Sequence, residues 1–110
     1  MLTDSDRDIA EKLKKRLLAY DGARIRRVIL YGSRARATAR PESDFDLLVV
    51  EKDPVQRIEE TRRLGEAVKG LPVPVHVWVM GEVEFQETKD VIGGLAYPAH
   101  RYGVVLHENP

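Results

Sequence analysis

YGSRARATARPESDFDLLVV, residues 31–50, carries a Gly-Ser pair, ten basic and turn-forming residues, and then Asp-x-Asp. The run leading into it, RVILY, is β-branched and apolar and stops at Gly32-Ser33, which predicts a strand over 26–31 that ends in a tight turn. Beyond the loop, Asp44, Asp46, Leu48 and Val50 alternate with Phe45, Leu47 and Val49, the period of a second strand over 44–50. The two aspartates therefore share a face. Gly32 allows close approach of the backbone to an anion, and Ser33, read as the N-terminus of a helix, adds a hydroxyl to free backbone N–H groups. Two adjacent carboxylates can hold Mg²⁺ while phosphate oxygens complete its octahedron. Read singly, Gly32-Ser33 is an ordinary turn, Asp-x-Asp a solvated strand feature, and Arg34, Arg36 and Arg40 a solvated loop. Read together, they form a cradle for a triphosphate and a metal, with one or two of the arginines on phosphate.

Working outward, residues 6–20 place Ile9, Leu13 and Leu17 at four-residue steps beside Ala10 and Leu18, an amphipathic helix capped by Thr3, Asp4 or Ser5. Asp21-Gly22 ends it. A second helix is expected over 54–69, from Pro54 to the stop at Gly70, with Val55, Ile58, Leu64, Ala67 and Val68 facing a sheet. Residues 73–80 read as a third strand, with Val73, Val75, Val77 and Val79 on one face and Pro74, His76, Trp78 and Met80 on the other. Pro72 and Pro74 mark an edge or a strand start. Short helices over 82–88 and 95–102, a hinge at 92–94 and a last strand over 104–107 complete the chain.

The 110 residues suit one domain, 1–110, with 43% apolar and 33% charged residues. Eighteen basic residues balance eighteen acidic ones, which argues against non-specific nucleic-acid binding and makes phosphate recognition local. The balance is uneven along the chain. Residues 1–40 carry 11 Lys/Arg against 5 Asp/Glu, and residues 41–110 carry 7 against 13. This reads either as a basic surface near the first helix and loop or as ordinary solvated charge. Absence of cysteine excludes disulfides and thiolate chemistry. The start, MLTDSDRDIA, has no apolar core of a leader and no window suits a membrane span, so a soluble, cytoplasmic protein is expected.

Gly32, Ser33, Asp44 and Asp46, with Arg34, Arg36, Arg40, Pro41 and Ser43 between them and Arg-Tyr-Gly at 101–103 before the last strand, resemble the DNA polymerase beta-like nucleotidyltransferase superfamily. Within it, the chain looks most like the minimal nucleotidyltransferases that pair with HEPN proteins. The resemblance implies an α/β (α+β) fold, a small mixed sheet with helices packed on one face. It also implies transfer of a nucleoside monophosphate from a triphosphate, ATP by preference, to a hydroxyl that can lie on a HEPN-type partner, with loss of pyrophosphate. On this reading Asp44 and Asp46 hold Mg²⁺, with Mn²⁺ as the alternative. Gly32, Ser33, Arg34, Arg36 and Ser43 contact nucleotide, and the chain works as an oligomer with its partner.

One position departs from the pattern. Reacting members present a third carboxylate from the neighbouring strand, and aligning VPVHVWVM with that strand puts His76 there. A neutral imidazole can accept a proton but is a poor Mg²⁺ ligand. Three readings stand: a base or ligand in a modified catalytic site, a nucleotide-binding site without catalysis, or a plain surface residue with the alignment shifted. The second would make the chain an antitoxin-like subunit that neutralises a HEPN toxin by covering it. Nothing in the sequence brings Glu51, Glu82 or Glu84 to the vacant role. Tyr31 and Trp78 are read as packing rather than base stacking, and His100 and His107 as structural or exposed.

Overall fold

The structure, a computed structural model, describes residues 2–109. Helix α1, Asp4–Asp21, begins where the Thr3 hydroxyl accepts a hydrogen bond from the Asp6 amide at 3.2 Å. It buries Ala10, Leu13 and Leu17. Strand β1, Ile25–Tyr31, pairs antiparallel with β2, Phe45–Glu51. Helix α2, Arg57–Ala67, crosses over to β3, Val75–Gly81, which runs parallel to β2. Helices α3, Glu82–Thr88, and α4, Ala96–Tyr102, lead to β4, Val104–Glu108, antiparallel to β1. The sheet order is β3-β2-β1-β4, a mixed sheet.

Strand alternation divides the core. Val28, Leu30, Leu47, Val49, Val77 and Val79 pack with Leu13, Leu17 and Leu64, so the two long helices share one face. Ile29, Leu48, Val50 and Met80 pack with Phe85, Ala96 and Ala99, and the two short helices cover part of the other. Every residue of β2 except Asp46 is buried, as expected for a strand covered on both sides. Asp46 and His76 belong to the second face but lie outside its apolar cluster, at the end where β2 and β3 begin.

Several boundaries differ from expectation. Helix α2 starts at Arg57, three residues after Pro54, and β3 starts at Val75, because Pro74 has no N–H for the ladder although its carbonyl accepts the Phe45 amide at 2.9 Å. Asp44 precedes β2 rather than belonging to it. Residues 33–37 form successive turns, not a helix. Gly103 ends α4 where a Cβ would lie 2.6 Å from Ile29 Cγ2 and 2.9 Å from the Leu30 carbonyl oxygen, so its lack of a side chain lets α4 close onto β1.

Candidate active site

Gly32 closes β1 with φ +78°, a conformation that strains any L side chain. A Cβ there would lie 2.5 Å from Oδ2 of Asp46, which sits across the ladder from Tyr31. The glycine–serine turn and the Asp46 carboxylate therefore meet, as the spacing implied. The missing side chain of Gly32 leaves its space to the Asp46 carboxylate.

The loop that follows is held by its own side chains. The Ser33 carbonyl accepts the Arg36 amide at 3.2 Å and the Thr38 amide at 3.0 Å, and the turn closes with Ala37 at φ +57°. Arg34 is turned inward. Its Nε and Nη2 donate to the Ser43 carbonyl at 3.2 and 3.0 Å, Nη2 also to the Pro41 carbonyl at 3.1 Å, and Nη1 to Asp6 Oδ1 at 3.2 Å. The guanidinium lies 4.6 Å from the Phe45 ring centre. The donors of Arg34, expected on phosphate, here bind the two ends of the loop together and to α1. Ser43 is engaged in the same way, its hydroxyl accepting the Arg40 amide at 3.0 Å. Arg36 and Arg40 are exposed and remain the cations of the loop that face solvent. The placement of Ser33 at a helix N-terminus is corrected: its neighbours form turns.

Asp44 is exposed and Asp46 partly buried. Burial pushes the Asp46 carboxyl above its ordinary range, His76 opposes that shift, and the charge of Asp44 adds to it. A carboxylate that is costly to ionise beside a second carboxylate suits a cation, so the donor set fits Mg²⁺ or Mn²⁺. His76 stands directly beside Asp46 on the parallel strand, with Nδ1 3.7 Å from Asp46 Oδ1. The parallel register thus brings an imidazole next to Asp46, and His76 is exposed toward solvent.

Glu51, Glu82 and Glu84 do not reach this end. Glu51 closes the other end of β2, five residues and about 17 Å along the strand from Asp46. Glu82 binds Arg27 at 2.9 Å, and Glu84 pairs with Arg57. Trp78 packs at the edge of the second cluster with the Arg57 guanidinium 5.5 Å from its ring centre, consistent with a packing role.

Two contributors were not legible in the sequence. Tyr31 lies beside Asp46 in the ladder, and burial first, then the charge of Asp46, pushes its hydroxyl up to about 12. It stays a neutral donor at the rim of the site. Asp6, in the first turn of α1, is buried and anchors Arg34, a contact spanning 28 residues that no local pattern announces.

A family model described as a nucleotidyltransferase domain matches residues 7–94. No curated protein matches the sequence. Among solved structures, a protein from Sulfolobus solfataricus assigned as a nucleotidyltransferase superposes with TM-score 0.65 at 18% identity, over 93% of this chain and 79% of the other. A toxin–antitoxin crystallised with AMP-PNP gives TM-score 0.60 at 20% identity, over 90% of this chain and 73% of the other. A mutant form of the toxin–antitoxin MntA–HpeT gives 0.56 at 19%, over 90% and 72%. At these identities the structural likeness establishes a shared fold.

Proposed function

This chain belongs to the nucleotidyltransferase domain family, and on that premise we propose that it binds a nucleoside triphosphate, ATP by preference, and transfers its nucleoside monophosphate to a hydroxyl on a partner protein. The observation that carries the reading is the meeting of Gly32 with Asp46, 2.5 Å from where a Cβ would stand, with Asp44 and His76 beside it. Asp44 and Asp46 would hold Mg²⁺, or Mn²⁺, which when bound neutralises charge on the phosphates and favours the departure of pyrophosphate.

The chain's own residues supply the rest. The Gly32-Ser33 backbone and the Ser33 hydroxyl receive phosphate oxygens, and exposed Arg36 adds positive charge at the loop. His76, in its neutral form, accepts the proton of the attacking hydroxyl as the oxygen–phosphorus bond forms and the bond to pyrophosphate breaks. Tyr31 donates a hydrogen bond at the rim. The partner is proposed to be a helical protein of HEPN type, and the assembly a hetero-oligomer. Two structures of the same fold are toxin–antitoxin pairs, one of them with a triphosphate analogue, which supports both halves of the proposal.

The place of His76 favours a second reading, a subunit that binds nucleotide and neutralises a toxin by contact without transfer, because an imidazole adds no negative charge to the metal site. Label transfer from α-³²P-ATP separates the two. Incorporation into the partner, abolished by Asp44→Asn/Asp46→Asn and lowered at least tenfold by His76→Ala, is the result expected of the enzyme. No incorporation by the wild-type protein with Mg²⁺ or Mn²⁺, but its appearance in His76→Asp, would establish the binding subunit instead.

A further inference from the structure

At the opposite end of the sheet, three carboxylates from three elements converge. Asp21 ends α1, Glu51 ends β2 and Glu60 lies in the first turn of α2. One oxygen of each lies within 4.8 Å of the others. Glu51 is 0% exposed, and among the described residues neither of its oxygens has a hydrogen-bond partner. Glu60 Oε1 and Asp21 Oδ2 are also buried and without one. Four buried acceptor oxygens thus lie together at the end of the central strand with no donor among them.

The cations nearby do not fill it. Arg63 binds Glu60 through Oε2 at 2.5 Å and comes only within 3.6 Å of Asp21. Arg24 directs Nη2 to the carbonyls of Lys52 and Pro54, at 3.1 and 2.7 Å. Two guanidinium charges against three carboxylates leave one negative charge uncompensated, and a buried carboxylate without a partner is costly. Burial first, then hydrogen bonding and charge repulsion with Glu60, pushes Glu51 up to about 7, so without a cation the pair competes for a proton.

We propose that Asp21, Glu51 and Glu60 form a second divalent-cation site, distinct from Asp44 and Asp46, that ties the end of α1 and the start of α2 to the central strand. Three protein carboxylates are a donor set that the flexible oxygen shell of Ca²⁺ accepts more readily than Mg²⁺, which keeps several of its waters, so Ca²⁺, or Mn²⁺ as a carboxylate-binding ion, is the ligand expected. Its role is structural, because the site lies about 17 Å along β2 from Asp46.

The test uses the full chain carrying Asp44→Asn/Asp46→Asn, stripped with chelator and titrated separately with Ca²⁺ and with Mn²⁺. One ion per chain by calorimetry, one Mn²⁺ by electron paramagnetic resonance, and a rise in Tm of about 5 °C or more at saturation are expected. Adding Glu51→Gln should weaken binding at least tenfold with the circular dichroism unchanged. If that variant does not fold, Asp21→Asn, at the rim, replaces it with the same expectation. No ion bound in the Asp44→Asn/Asp46→Asn protein, or binding that is indifferent to both substitutions, overturns the proposal. The first outcome would leave a proton shared by Glu51 and Glu60 as what balances the cluster.

Discussion

Gly32 is the residue on which the candidate site turns, for two separate reasons. Its φ of +78° lies where a Cβ is strained, and the space that a Cβ would take belongs to Asp46 Oδ2. Gly32→Ala is therefore expected to cost about 1–2 kcal/mol of stability from the backbone alone. It should also weaken metal-dependent ATP binding at least tenfold, since the methyl would move the carboxylate. Denaturant unfolding and calorimetric titration measure the two effects separately, and unchanged binding in a destabilised protein would remove Gly32 from the site. Arg34 is the contrasting case. In the sequence it is one of three similar loop arginines, and in the fold it is a clamp on Ser43, Pro41 and Asp6. Identity and spacing specify a turn glycine because few residues tolerate that conformation. They do not say which arginine turns inward, since that depends on where α1 lies.

Among the elements, β2 carries both clusters of acid, with Asp46 near its start and Glu51 at its end. The strand's alternation was readable throughout, but the surroundings of Glu51 were not, because Asp21 and Glu60 come from helices whose packing alone brings them there. This gives the protein a pH response. Glu51 is raised to about 7 from an ordinary 4.5, so the folded state holds its proton more tightly than the unfolded state does. The stabilisation is fully present below pH 4.5 and is lost as pH rises through 7. Glu60 is lowered, so its contribution is lost only as pH falls below 4.5 and is constant above that. In metal-free buffer the protein should accordingly be more stable at pH 5.5 than at pH 8.5, by on the order of 1–2 kcal/mol. Glu51→Gln, which imitates the protonated acid, should flatten that slope. Urea unfolding at the two pH values checks it, and a slope of opposite sign, or one that Glu51→Gln leaves in place, contradicts the assignment.

For the whole molecule, the contrast between a basic first 40 residues and an acidic remainder is partly absorbed within the fold. Arg27, at the centre of β1, binds Glu82 at 2.9 Å and Glu108 at 2.5 Å. Arg16 and Arg24 donate to backbone carbonyls beyond residue 50, and Arg34 to Asp6 and its own loop. Charges facing each other within the fold do not project a field, so the basic surface considered for nucleic acid loses several of its members. Fluorescence anisotropy with a single-stranded RNA at 150 mM salt should show no binding at micromolar protein. Saturable binding that falls steeply with added salt would restore the nucleic-acid reading. No helix among the described residues is long and apolar enough to cross a membrane.

What the sequence alone determined is the succession of helices and strands and the pairing of a glycine turn with two acids, because periodicity and turn chemistry are local properties of adjacent residues. Even the place of His76 beside Asp46 could be inferred, since two strands of clear period align in few ways. What only the tertiary structure decided is the set of contacts made across the chain: Arg34 reaching Asp6, the turns after Gly32 that replace an expected helix, and the meeting of Asp21, Glu51 and Glu60. Each of these depends on the packing of α1 and α2 against one face of the sheet. The hydrophobic pattern that drives this packing specifies which face is covered, but not which polar side chains the covering brings together.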